Sequence, residues 1–235
     1  MRNCGVQVFS PSGEFIREWV SYGGGDGEFR NPKGIALDSE GNIYVVDASN
    51  SRVQVFTSAG QFLGKWGSRG TEEGQFTEPK GVAVGEDGEV YVADTGNDRV
   101  QVFTTEGDFL RQWQVESPRA ITVEGDGNLY ILSNNRVKLF NRMGELLREW
   151  GSEGSDNGQF CSPRGIAVDA AGNIYVVDTG NRRLQVFDDS GELLYIWKWG
   201  VLVNYFLQGV AIDYTGNLIV TCDYGVKVFL PESLQ

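Results

Sequence analysis

Four basic residues stand at one repeated place in this sequence. Lys33, Lys80, Arg119 and Arg164 each follow a proline and precede a short apolar run. Cations gathered in this way would suit an anionic ligand, such as a nucleic-acid backbone or an acidic or phosphorylated peptide. The bland alternative is that each base pairs with a neighbouring carboxylate and solvates its loop. A second set also recurs: Asp47/Asn50/Arg52, Asp94/Asn97/Arg99 and Asp178/Asn181/Arg183. Asp and Asn at this spacing make side-chain-bonded turns, and an Asp–Arg pair could close each loop. A catalytic set repeated in unit after unit is implausible, so this set is read as structural. Its arginines Arg52, Arg99 and Arg183, with Arg136 at the matching place, are nonetheless carried as candidate ligand contacts, because their loops should share a face with the four bases.

Other chemistry is narrowed by composition. The 235 residues contain no histidine, so no imidazole can act as base, triad member or metal ligand. Cys4, Cys161 and Cys222 are far apart and form no C-x-x-C pair, which argues against zinc and against a disulfide framework. Carboxylates are plentiful, but they fall at equivalent turn positions, and no glycosidase-like pair can be singled out. A calcium site of Asp, Asn and carbonyls would need a denser acidic loop than any present. The expectation is therefore no metal, no cofactor and no catalysis in this chain. A net charge of −12 disfavours binding by bulk charge to DNA or to an anionic membrane. The opening MRNCGVQVF lacks the apolar core of a secretory leader, and the most apolar stretch, 195–207, is interrupted and too short to span a bilayer. A cytoplasmic, reducing location is expected.

The elements that must position these residues repeat with a period of about 45 residues, in the range of propeller blades. An apolar strand begins at Gly34, Gly81, Ala120, Gly165 and Gly209. A V-Q-V-F-like run ends at Phe9, Phe56, Phe103, Phe140, Phe187 and Phe229, and Trp19, Trp66, Trp113, Trp150 and Trp197 close the units. Each unit reads as four short strands, a to d. In the second unit these are Gly34–Leu37, Ile43–Val46, Arg52–Phe56 and Gln61–Trp66. Gly-Asn or Gly-Glu pairs mark the a–b turns, and no capped helical segment appears. The recurring tryptophans and Phe29, Phe76 and Phe160 are read as core wedges. Trp199, Tyr205 and Phe206 lie in a non-repeating loop and could form an apolar patch. The fold class is all-β, a propeller of four-stranded blades filling residues 1–235. It comprises a partial blade 5–19, full blades 34–66, 81–113, 120–150 and 165–197, and a partial blade 209–230. A six-bladed ring lacking its first strands accounts for the spare c strand and is preferred over a closed five-bladed ring. In such a fold the a–b and c–d turns share one face, which collects acids such as Asp38, Glu40, Glu86, Asp87 and Glu106. The d–a and b–c loops share the other face, where the four bases should ring the channel mouth.

The pattern G-x-F-x-x-P-x-G-[IV]-A-[VL] followed by G-N-I-Y-V-x-D-x-x-N-x-R-[VL]-Q-V-F stands, with small variations, at 27–56, 74–103 and 158–187. It resembles the NHL repeat, and the arrangement resembles the C-terminal propeller of tripartite-motif (TRIM-NHL) ubiquitin ligases. The unit from Ala120 departs from it, with a short loop at 114–118 and Ser133 in place of the strand-b Asp. The last unit has Leu207-Gln208-Gly209 where the Pro motif would be. The resemblance implies a binding module that recognises a protein partner, as the substrate-recognition part of such a ligase. It also implies an alternative, an RNA stem-loop docked on the Lys/Arg mouth. A metal-dependent propeller enzyme is the remote third reading, disfavoured by the missing histidine. No RING-type cluster is present, so ligase activity and any oligomerisation would belong to other segments, and the propeller itself is expected to be monomeric.

Overall fold

The computed structural model describes residues 5–198, 206–213, 215–222 and 225–229. Short β-branched and aromatic runs separated by glycine turns fold into strands that pair with their sequence neighbours. Strands β1 (Gly5–Phe9) and β2 (Phe15–Val20) form an antiparallel pair. The first four-stranded sheet runs in sequence order through β3 (Pro32–Leu37), β4 (Ile43–Asp47), β5 (Arg52–Phe56) and β6 (Phe62–Trp66). After a short parallel pair, β7 (Ser68–Arg69) and β8 (Gln75–Phe76), comes a sheet of β9 (Val82–Val84), β10 (Val90–Asp94), β11 (Arg99–Phe103) and β12 (Phe109–Gln114). The next sheet holds β13 (Pro118–Val123), β14 (Leu129–Ser133), β15 (Arg136–Phe140) and β16 (Leu146–Trp150). Another holds β17 (Gly165–Val168), β18 (Ile174–Asp178), β19 (Arg183–Phe187) and β20 (Leu193–Lys198). Strands β21 (Leu207–Ile212), β22 (Leu218–Cys222) and β23 (Gly225–Phe229) make a three-stranded sheet. The fold is all-β, a propeller of four-stranded blades, and the blade count found is five, the alternative, which corrects the six preferred from the sequence. Two single 3-10 turns, Ala48–Asn50 and Thr95–Asn97, are the helical elements among the described residues.

The chain divides into two compact units, residues 1–121 and 122–235, and the division falls inside β13. In the first unit, Tyr44, Val46, Val53, Phe76, Val92 and Phe103 form one buried cluster, and Phe29, Val45 and Phe56 belong to another. In the second unit, Val177, Leu184, Val186, Leu207, Leu218 and Val220 do the same. The wedge reading of the aromatics holds. Phe29, Phe76 and Phe160 are fully buried, with ring centroids 5.6, 5.6 and 5.7 Å from Phe56, Phe103 and Phe187. Trp19, Trp66 and Trp150 cover the same three phenylalanines at 6.1, 5.8 and 6.0 Å. Burying rings of this size removes large apolar areas from water, at roughly 25 cal/mol per Å².

Cys4, Trp199 and Tyr205 lie outside the described residues. Phe206 is exposed, and the Arg182 guanidinium sits 5.5 Å from its ring centroid. Cys161 and Cys222 are free thiols. Among the described residues no helix is long and apolar enough to cross a membrane.

Candidate functional site

The repeated Asp, Asn and Arg build a loop lock. Asp94 is fully buried, and its Oδ2 accepts hydrogen bonds from Asn97 Nδ2 and Arg99 Nε, both at 2.8 Å. Its Oδ1 accepts the backbone N–H of Thr77 at 2.8 Å. The outer guanidinium nitrogen of Arg99 donates to the carbonyls of Glu72 and Gln75, both at 2.8 Å. Asp47/Arg52 and Asp178/Arg183 repeat the geometry, with Nε–Oδ2 distances of 2.8 and 2.7 Å. A partner in the lock escaped the sequence reading. Gln54, Gln101 and Gln185 are buried in the middle of the c strands, donate to the carbonyls of Glu28, Gln75 and Gln159, and accept from the N–H of Gly27, Gly74 and Gly158. The signal was present in the sequence: a glutamine between two aliphatic residues in the middle of a strand must find partners when buried.

This geometry corrects the view of Arg52, Arg99 and Arg183 as ligand contacts. All three are buried, and they donate to the Asp and to the loop carbonyls, with Arg99 also donating to Gln112 Oε1 at 2.8 Å. Arg136 is different. Ser133 replaces the Asp, the preceding loop is short, and Arg136 is exposed and pairs with Glu149 at 3.0 Å.

Within the first unit, the starts of consecutive inner strands approach closely. A Cβ on Gly34 would lie 2.5 Å from the Lys80 carbonyl oxygen, and one on Gly81 would lie 3.0 Å from that of Arg119. At Gly34 a side chain would force the backbones apart, and at Gly81 it would be tight. The base beside each contact is thereby drawn towards the next. Lys80, half-buried, has its pKa lowered by burial and then by Arg119, with Glu78 opposing and Lys33 adding to the effect. Each base is aimed by the residue pair before it: Asn31, Glu78 and Ser117 are left-handed, with φ of 57°, 49° and 48°, and each is followed by proline. Ser162 does the same before Pro163 and Arg164 in the second unit, with φ 49°. Arg164 is exposed and donates to Gln208 Oε1 at 2.5 Å. A non-glycine residue in this region costs about 1–2 kcal/mol, so the bend must be held by its surroundings. Ser117 and Ser162 show how, since their N–H groups are bound by Asp98 Oδ1 at 2.7 Å and Asn135 Oδ1 at 2.9 Å.

The acidic turns also make a concave surface in the first unit. A cleft of about 620 Å³ is lined by Asp38, Glu40, Glu86, Asp87 and Glu106 over a floor that includes Tyr44, Leu63 and Trp66. The Tyr44 hydroxyl donates to Asp38 Oδ2 at 3.1 Å, and its pKa is raised by burial and then by Asp38, Glu106 and Glu40. Lys65, also in the lining, is paired with Asp26. Asp38 itself is a turn residue. Burial pushes its carboxyl up, but bonds from the side-chain amide and N–H of Asn42, the Tyr44 hydroxyl and the N–H of Glu40 together hold it below the usual range.

Three segments of the chain, residues 29–56, 76–103 and 160–187, match the NHL repeat. The chain therefore carries NHL repeats on a β-propeller fold, and nothing in the matches singles out tripartite-motif proteins. No curated protein matches the sequence. Among solved structures the chain is similar to virginiamycin B lyase from Staphylococcus aureus, with a TM-score of 0.69 and 14% identity over 97% of this chain and 78% of that one. It is similar to a gluconolactonase from Xanthomonas campestris, with a TM-score of 0.67 and 17% identity over 86% of this chain and 73% of that one. A chain of a nidogen/laminin complex gives a TM-score of 0.64 and 18% identity over 86% and 80%. At these identities the likeness is one of fold. It overturns the expectation that this chain is not an enzyme. The same propeller carries a lyase and a lactonase, so the blade architecture does not exclude catalysis here.

Proposed function

We propose that this propeller is a binding module that recognises a protein partner through Lys33, Lys80 and Arg119, the partner presenting carboxylates or phosphates. The observation that carries the reading is the convergence of these bases at the close-packed starts of consecutive strands, where Lys80 feels both Arg119 and Lys33. Like charges held together cost free energy, and a complementary anion relieves that cost. Arg164, at the equivalent place in the second unit, is assigned the same role. A protein partner is favoured over RNA because the chain carries a net charge of −12, which weakens long-range attraction of a polyanion. Within this reading the propeller serves as the substrate-recognition part of a tripartite-motif-like ligase, in a reducing, cytoplasmic setting compatible with the free thiols of Cys161 and Cys222.

The test compares wild type with Lys33→Glu/Lys80→Glu/Arg119→Glu and with Arg164→Glu. Binding is measured against acidic and phosphorylated peptide arrays, and against RNA stem-loops at low and moderate salt. Loss of peptide binding by about tenfold or more per reversed charge supports the proposal. Tight RNA binding with a steep salt slope, abolished in the triple variant, would replace the protein partner with RNA. Anion binding that survives the triple variant would remove these residues from the site.

A further inference from the structure

The loop lock has a chemical consequence at one position. Residues 156–159 form a tight turn in which Gln159 N–H donates to the Asp156 carbonyl at 3.0 Å, and Asn157 and Gly158 occupy its centre. Asn157 is exposed, and Gly158 has φ +77°. An asparagine followed by glycine is the pairing most prone to lose its amide, because the next residue has no side chain to hinder attack by its backbone nitrogen. That nitrogen is not idle here. Gly158 N–H donates to Gln185 Oε1 at 2.9 Å, and Gln185 is fully buried, with Nε2 held by the Gln159 carbonyl at 2.8 Å and by Asp178 Oδ2 at 3.3 Å.

We infer that Asn157 is a spontaneous deamidation site whose rate is governed by the Gln185 hydrogen bond to the attacking Gly158 nitrogen. In the open loop, Gly158 N gives up its proton to solvent base and bonds to Asn157 Cγ. The Cγ–Nδ2 bond breaks, and ammonia leaves. Water then opens the resulting five-membered imide. Opening at Cγ leaves aspartate, and opening at the former main-chain carbonyl leaves isoaspartate, whose backbone is longer by one carbon. No oxidant or reductant is needed. While the lock is closed, the nitrogen's proton is committed to Gln185 and the turn geometry is fixed, so attack must await local opening. Either product adds a negative charge to this loop. The isoaspartate also displaces the carbonyls of Asp156 and Gln159 that Arg183 binds at 2.7 Å, so a modified loop cannot close as before.

The sister loops sharpen the assignment. Gly27 and Gly74 are held in the same way by Gln54 and Gln101, at 3.0 and 2.9 Å. Residues Asp26 and Glu73 precede them. Glutamate cannot form the five-membered ring, and aspartate can isomerise but carries no amide to lose. Asn157 alone among the three can deamidate.

The experiment incubates the folded protein in mildly alkaline buffer and follows Asn157 by peptide mapping and mass spectrometry. Denatured wild type, Gln185→Ala and Gln54→Ala are run beside it. Hydrogen exchange at the Gly158 amide is read on the same wild-type sample. Folded wild type should deamidate at Asn157 at least about tenfold more slowly than denatured chain, with a protected Gly158 amide. Gln185→Ala should close most of that gap. Gln54→Ala opens the matching lock in the other unit and should leave Asn157 at the wild-type rate. Three results would overturn the proposal: a folded rate equal to the denatured one, a Gln185→Ala rate equal to wild type, or equal acceleration by Gln54→Ala. If Gln185→Ala does not fold, the wild-type rate ratio and the Gly158 exchange still decide the matter.

Discussion

At the scale of single residues, the decisive distinction is between charges taken out of water and charges left in it. Asp94 and Arg99 are both buried, and every polar atom they present towards the loop has a partner. Such a pair contributes little relative to an apolar substitute, but removing one partner strands the other in the interior. Asp94→Asn should therefore cost about 3–5 kcal/mol and release the 70–76 loop. Arg136 and Glu149 are both exposed, with side chains 44% and 40% accessible, so Arg136→Ala should cost no more than about 1 kcal/mol. Urea unfolding of the two variants gives the comparison. Equal, small losses would mean that the lock is ornamental and that the loop is held by Phe76 alone.

At the scale of elements, the strands were largely legible because two periods coincide in the sequence: alternation within each strand and recurrence of the whole unit. In the repeat that begins at Gly34 the c strand runs Arg52–Phe56 as read, and the others differ by a residue or two at their ends. What escaped is structure made by side chains from elsewhere. The short pair β7–β8 and the 3-10 turn at Thr95–Asn97 exist because Arg99, Gln101 and Asp94 grip the loop from other strands. No local pattern encodes that grip. The role of Arg52, Arg99 and Arg183 was misread in part for the same reason, since the Asp–Arg pair was foreseen but not the burial that removes the arginine from the surface. The glycines at strand starts were visible as an anchor, and their cause is geometric. Gly34→Ala would set a methyl 2.5 Å from the Lys80 carbonyl and force β3 and β9 apart, at about 1–3 kcal/mol. Gly64, in β6, has open space at its Cβ position and no unusual φ, so Gly64→Ala should stabilise by about 0.4–1 kcal/mol through the unfolded chain. Thermal unfolding of both variants tests the pair. A neutral Gly34→Ala would deny that close strand approach is what gathers Lys33 and Lys80.

At the scale of the whole molecule, the charge is one-sided. A net charge of −12 with a pI of about 4.5 makes the folded chain repel itself at neutral pH. Raising ionic strength from 0.01 to 0.15 M shortens the screening length from about 30 to about 8 Å, enough to quiet repulsion between distant turn acids. The buried Asp–Arg pairs are screened far less. Added sodium chloride should therefore raise Tm at pH 7 and have little effect near the pI, where the net charge vanishes. The turn aspartates bound the acid side of this behaviour. Asp213 is held down to about 2 by the Thr215 hydroxyl and by the N–H and side chain of Asn217. Its folded pKa lies below its unfolded one, so its contribution to stability is present above the unfolded value and is lost as pH falls towards about 2, well below the pI. An anionic ligand at Lys33, Lys80 and Arg119 obeys the opposite rule, because the same screening weakens its attraction. One salt titration at pH 7, read both by thermal unfolding and by affinity for a phosphorylated peptide, should move stability up and binding down. If Tm fell with salt instead, favourable surface pairs would outweigh the net repulsion, and the negative charge could no longer be invoked to favour a protein partner over RNA.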